Sequence, residues 1–288
     1  MTGRRIPTWL SGAVILGGFV ALAWLERRRP LRRTTEPKLR REARNLAVAG
    51  VGSVVVAALE TPLVLWLTQW VESNGWGLLK HWRLPWWIEI PVAVLLIDYS
   101  MYWWHLANHR VPILWRMHLP HHADLDLDAS TALRFHFGEL VASLPVRALQ
   151  VTLIGAGPLA FSVWQTLFGL SILFHHSTLE LPLALERRLL WLVVTPRMHG
   201  IHHSIVRREA ESNLSSGLTL WDRLHGTLRV NVPQAEVTIG VPAYRQPTDV
   251  TLPKVLAMPF VKLPQVWRLP EGEPVRGALP LPVTALQA

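Results

Sequence analysis

The run from Leu140 to Phe174, LVASLPVRALQVTLIGAGPLAFSVWQTLFGLSILF, holds 35 residues and a single charge, Arg147. One helical crossing of a bilayer takes about 20 apolar residues, so the run is too long for one crossing. Gly155-Ala156-Gly157-Pro158, near its middle, is a turn signal. The stretch therefore reads as a tight helical hairpin that enters a membrane and returns. Three further apolar stretches precede it. Ile6 to Leu25 is 20 uncharged residues with Trp9 and Trp24 near its ends, where interfacial aromatics belong. Its length, and the lack of a small-residue cleavage site before the following arginines, weigh against a signal peptide. Asn45 to Val71 carries one charge, Glu60, near Pro62, and Trp66 and Trp70 mark its far end. Leu84 to Trp104 starts with Trp86 and Trp87 and ends with Trp103 and Trp104.

Composition agrees with a membrane setting. Half of the 288 residues are hydrophobic, only 17% are charged, and the mean hydropathy is +0.24. A soluble domain carries roughly 25% charge, so intrinsic disorder is excluded and a plain soluble enzyme is disfavoured. The absence of cysteine excludes disulfide scaffolds, zinc ribbons, iron–sulfur clusters and thiol nucleophiles. Residues 26–44 hold nine Lys/Arg against three Glu, whereas only Arg4 and Arg5 precede the first apolar stretch. The positive-inside bias places 26–44 in the cytoplasm. The N-terminus, Lys80 and His81 then face outward, and 105–139 and everything after 175 are cytoplasmic. This one loop supplies six of the nine net positive charges, which accounts for the high pI without a nucleic-acid partner. Residues 231–288 contain ten prolines and no periodicity, and read as an irregular cytoplasmic tail. The expected fold is an all-α integral membrane protein. It has four to five membrane-entering helices and a cytoplasmic helical cap, divided as 1–88, 89–230 and 231–288.

The histidines carry the chemistry. His105 and His109 are four apart, and two segments share the pattern His-x-x-His-His: His118 to His122 and His199 to His203. Residues three or four apart share a helix face, so each segment aims two or three imidazoles at one point. Neutral imidazole is a common ligand for iron, zinc and copper. Eight to ten such groups exceed the needs of one ion and point to two metals. His81 and His225 stand alone and read as surface or packed residues. No His-Glu-x-x-His and no Glu-x-x-His occurs, which removes the usual zinc protease helix and the carboxylate-bridged di-iron bundle. No Gly-x-Ser-x-Gly, Walker loop or Gly-x-Gly-x-x-Gly is present.

The run Asp98 to Pro112 (DYSMYWWHLANHRVP), then Leu114 to His118, resembles the first boxes of the fatty acid hydroxylase/sterol desaturase superfamily. So does Asp126 to His136. Phe174 to Ser177 and Thr195 to Ser204 resemble the remaining boxes, with Asn213 and Trp221 to Leu224 behind them. The resemblance covers roughly 90–230. It implies an integral-membrane oxidase with a His-rich di-iron site, which hydroxylates or desaturates lipid chains or sterols using O2 and external electrons; zinc can replace iron in purified samples. Carried over by position, it implies ligands at His105, His109, His118, His121, His122, His176, His199, His202 and His203. His136 and His175 are candidates for a tenth ligand or for a supporting role. Asp98, Asp128 and Asp222 are candidates to hydrogen-bond the far nitrogens of ligating rings. Three departures stand out. Pro120 disfavours a helical Leu119, Gly200 replaces a usual basic residue and loosens that turn, and His225 stands where Phe is common.

The expected function is O2-dependent oxidation of a lipid or sterol-like substrate drawn from the bilayer. The electron donor would be external: cytochrome b5-like, a ferredoxin or a reductase. The expected location is a bacterial inner membrane. The alternative is a non-catalytic metal- or haem-binding membrane protein. Paired haem histidines usually stand singly on facing helices, which tight triplets do not match.

Overall fold

The computed structural model of the protein describes residues 5–82 and 84–273; Arg4 and the tail beyond residue 273 lie outside the described residues. Every regular element among the described residues is helical, with no strand. Helix α1 (Thr8–Arg28) follows Pro7, and only 6% of its most apolar window is buried, so its surface suits lipid. Helix α2 (Lys38–Val55) continues through a π-helical turn, Val56–Glu60, into α3 (Thr61–Asn74). Pro62 lacks the N–H that a regular helix needs and its ring crowds the preceding turn, and the wide turn just before it takes up the mismatch. Gly75, with φ 60°, ends α3. A short α4 (Leu78–His81) leads to α5 (Trp86–Arg110) and α6 (Pro112–His122).

The Leu140–Phe174 run folds as two helices joined at the expected turn, α7 (Phe137–Ile154) and α8 (Pro158–His176), which pack more on α3 and α5 than on each other. Gly155, at φ 82°, closes α7 by donating its N–H to the Val151 carbonyl, and Pro158 opens α8 at a position where no N–H is needed. The turn rests against Gly77: the two backbones approach so closely that neither glycine has room for a Cβ.

Four helical segments among the described residues are long and apolar enough to cross a membrane: α1, the 38–81 segment that holds α2 and α3, α7 and α8. The Leu84–Trp104 stretch differs from expectation. It forms the 25-residue α5, but α5 carries Glu89, Asp98, His105 and His109 and is not one of the four. Its inner face packs Ile97 and Met101 against Val64, Leu67 and Val71 of α3, Val151 of α7, and Phe161 and Trp164 of α8. Many tryptophans lie on the outside, among them Trp9, Trp24, Trp66, Trp86 and Trp87. Such exposure is costly in water but natural at a lipid boundary.

Beyond α8 come short helices α9 (Leu183–Leu189), α10 (Pro196–His202), α11 (Arg207–Ala210), α12 (Leu220–Leu224) and α13 (Leu252–Ala257). Residues 231–273 are mostly irregular, yet they are not peripheral. Val241, Val250, Val255 and Met258 are buried against Val48, Trp115 and Leu119.

Candidate metal centre

Each histidine cluster hangs from the end of a helix. His105 and His109 occupy consecutive turns at the end of α5. Pro112 at the first position of α6 sets a new direction, and His118, His121 and His122 follow on that helix. Pro120 does not divert the chain as its sequence context predicts. It lies inside α6, two residues from the end, and its carbonyl is held by the Arg134 Nε, 2.8 Å away. His176 ends α8. His199 and His202 lie on α10, whose first turn is capped by the Thr195 hydroxyl, and His203 follows it directly.

The nine imidazoles form two groups. His105, His109, His118, His122 and His202 make one; His121, His176, His199 and His203 make the other. Within each, one nitrogen per ring lies within 4.8 Å of all the others. The triplets do not each aim at a single point. His118 and His122, four apart, share a face and join the first group, while His121 turns to the second. His199 and His203 join the second group, while His202 turns to the first.

The hydrogen bonds fix which nitrogen is free. His105 Nδ1 donates to the Leu214 carbonyl (2.8 Å), His202 Nδ1 to Ser212 (2.9 Å) and His176 Nδ1 to Ile172 (2.7 Å). A carbonyl only accepts, so the proton sits on Nδ1 and the Nε2 lone pair is bare. His118 Nδ1 faces the Glu139 Oε1 at 3.0 Å. In the second group, His176 Nε2 lies 3.1 Å from His121 Nε2 and 3.0 Å from His199 Nε2, which is 3.1 Å from His203 Nε2. Neutral rings cannot satisfy such a cluster among themselves. In the first group, the buried Nε2 atoms of His109, His118, His122 and His202 have no partner at all. Orphaned nitrogens of this kind are the form in which imidazole binds metal, so the residues fit two ions. Burial, and after it the neighbouring imidazoles, holds His121, His122, His199 and His203 well below the usual range; burial also takes His202 down to about 3. These five rings are therefore uncharged at neutral pH.

The other expected site residues lie nearby without joining either group. Asp222 accepts from the Leu214 and Ser215 amides and the Thr227 hydroxyl, so it shapes the loop whose carbonyls hold His105 and His202. It touches no imidazole. Asp98 accepts from the Leu218 amide and the Trp221 indole, again not from a ring ligand. Asp128 pairs with Arg41 and caps Ser130. His136 has both nitrogens engaged: Nδ1 caps α7 by accepting from Gly138, and Nε2 donates to the Leu256 carbonyl. His175 is buried, packs on His199 and leaves Nδ1 unpartnered. His225 lies half-buried among Tyr99, Tyr102 and Trp103.

Several supporting contacts were not evident from sequence. Glu139 orients His118, and its three-residue spacing from His136 was the available hint. Arg41 and Arg44, from the basic segment, are buried rather than solvated. Arg41 bonds Asp124 (2.8 Å), and Arg44 bonds Glu36 (2.6 Å). Burial would raise Asp124, but Arg41, Arg134 and Arg44 hold its carboxyl down to about 2. Alternating acids at 124, 126 and 128, directly after a histidine triplet, were the signal. Asn213, at φ 53°, donates to the Met198 and Arg229 carbonyls and so ties α10 to its following loop. Gly200 does not loosen its turn. Its missing side chain leaves space for the Arg32 guanidinium, which donates to the Pro196 carbonyl and to Gln234, both at 2.6 Å.

A cavity of about 330 Å³ opens on both groups. His105, His118, His121, His176 and His199 line one end, and Trp104, Phe135, Phe168 and Ile172 form apolar walls. Asn108 Oδ1 and Glu139 Oε2 are buried there without partners.

Residues 90–227 match the family model for fatty acid hydroxylase. Among curated proteins, alkylglycerol monooxygenase of Xenopus tropicalis is 30% identical over 173 residues, 57% of this chain and 34% of that protein. An ornithine lipid hydroxylase of Rhizobium tropici is 29% identical over 175 residues, 59% of this chain and 49% of that protein. Cholesterol 25-hydroxylase of Mus musculus is 28% identical over 143 residues, 49% of this chain and 47% of that protein. The chain thus spans a third to a half of the length of these relatives. No solved structure matches it.

Proposed function

The chain belongs to the fatty acid hydroxylase superfamily through residues 90–227, and from that premise we propose that it is a membrane oxidase of a lipid or sterol-like substrate. The observation that carries this reading is the placing of two imidazole groups at one end of a cavity walled by apolar side chains. His105, His109, His118, His122 and His202 would hold one iron ion, and His121, His176, His199 and His203 the other. Iron bound there supplies the activation of O2 needed to oxidise an unactivated C–H bond.

The chain's own residues do the rest. Carbonyls of Leu214, Ser212 and Ile172 keep protons on the outer ring nitrogens, so the inner lone pairs stay available. Glu139 orients His118. Trp104, Phe168 and Ile172 exclude water and seat the alkyl part of the substrate. Hydroxylation consumes R–H, O2, two electrons and two protons, and releases R–OH and water; desaturation would instead remove two hydrogens. With no cysteine or nucleotide fingerprint in the sequence, the two electrons are assigned to a separate donor, cytochrome b5-like, a ferredoxin or a reductase. The positive-inside bias supports a cytoplasmic imidazole end in a bacterial inner membrane.

The test is a comparison of total lipids from cells with and without the chain, grown under isotope-labelled O2. A lipid gaining one labelled oxygen supports hydroxylation, and a lipid losing two hydrogens supports desaturation. Unchanged lipids in cells that hold the iron-loaded protein and a competent donor would sink the oxidase reading.

A further inference from the structure

The cavity has a second polar end. Glu60, on the π-helical turn, and Arg147, on α7, both line it, within helices apolar enough to cross a membrane. Arg147 Nε donates to Glu60 Oε1 at 3.2 Å, and the two side chains are only 10% and 13% exposed. Arg147 Nη1 donates to Gln150 Oε1 at 2.6 Å. Its guanidinium lies 4.7 Å from the centre of the Trp164 ring. Trp164 also lines the cavity, is 3% exposed, and its indole Nε1 has no acceptor. Among the described residues, Arg147 Nη2 and Glu60 Oε2 form no hydrogen bond either. Ionisable residues inside a membrane mark functional sites more often than structural ones, and here three unused polar atoms gather beside one cavity.

We propose that this end is a recognition site for a neutral oxygen function of the substrate, a hydroxyl above all. The inference rests on the lipid-oxidase reading and narrows it to lipids that carry such an oxygen far from the oxidised carbon. The charge balance selects the chemistry. Glu60 already compensates Arg147, so an anion would meet a neutral pair with a carboxylate beside it. A hydroxyl can accept from Trp164 and Arg147 and donate to Glu60. A bare alkyl chain would leave the buried indole N–H unsatisfied, which is costly. The helices set the reach. Arg147 is eight residues along α7 from Glu139, which touches His118, and Trp164 is twelve residues along α8 from His176. At the helical rise, the oxygen sits roughly 12–18 Å from the imidazole end.

The experiment uses the full chain, metal-loaded, in lipid nanodiscs, with cetyl alcohol, the alkane of equal carbon count and the matching fatty acid as probes. Binding is read by competition and by thermal stabilisation. Two variants are compared: Trp164→Phe, which removes one N–H and keeps the ring, and the double variant Glu60→Leu/Arg147→Leu, which removes the pair together and leaves no lone charge. The wild type should prefer alcohol over alkane by about tenfold. Both variants should keep alkane binding and their metal and lose the preference. Equal binding of alcohol and alkane to the wild type, a preference that survives in both variants, or tighter binding of the fatty acid would each overturn the proposal. Lipid turnover measured on the same samples keeps the two readings apart. Turnover without alcohol preference removes the subsite alone, and a preference that depends on these residues without turnover removes the oxidase alone.

Discussion

His202 and His136 show how differently two buried histidines can serve one fold. His202 turns a bare Nε2 into the five-imidazole group, whereas His136 spends both nitrogens on backbone. His202→Ala is therefore expected to lower metal affinity by at least the roughly 10–100-fold typical of losing a supporting partner, with metal analysis of the purified protein as the readout. A full complement of two metals in that variant would remove the five-imidazole group as a metal site. His81→Ala should match wild type. His136→Ala should keep its metal and lose about 1 kcal/mol of stability, the usual value of a helix cap, measured as a lowered melting temperature at unchanged metal content. Metal loss in His136→Ala at unchanged stability would reverse that assignment. The sequence made the nine clustered histidines conspicuous because their type and spacing are unusual. It did not reveal Glu139 or Arg41, whose types are common and whose partners lie 21 residues away in one case and more than 80 in the other.

At the scale of the elements, local signals and long-range ones part company. The α7–α8 turn was legible because Gly155 and Pro158 each answer a local need, a left-handed end and a start without an N–H. The division of each triplet between two groups follows from where α5, α8 and α10 end relative to α6, and no local pattern encodes that. Nor does sequence distinguish a solvated arginine cluster from one that buries Arg41 against Asp124 and Asp128. Two substitutions probe these elements. Gly155→Ala forces a side chain into φ 82° and against the Trp76 carbonyl. It should cost about 1 kcal/mol or more, seen as weaker resistance to thermal aggregation in detergent. Arg41→Met strands two buried carboxylates, and breaking a buried pair costs about 3–5 kcal/mol. Poor yield of folded protein is expected, and a variant as stable as wild type would show the network to be dispensable.

For the whole molecule, the basic segment 26–44 sets the expected orientation. With no native cysteine, single cysteines at the exposed positions Thr34, Arg207 and His81 report sidedness directly. In intact cells a membrane-impermeant thiol reagent should label position 81 and spare 34 and 207; the opposite pattern would invert the molecule. The two imidazole groups also have a mechanical side. They draw on four helices, α5, α6, α8 and α10, and both α6 and α10, the latter with the adjoining His203, contribute to each group. Ions seated there would act as non-covalent cross-links, riveting segments as distant as residues 105 and 202, while the turn between α7 and α8 closes through its own residues. Chelation should then raise hydrogen exchange in α10 and the 203–216 loop well before it disturbs that turn. A chain deprived of metal would forfeit the clasp that holds its cap shut as well as its chemistry.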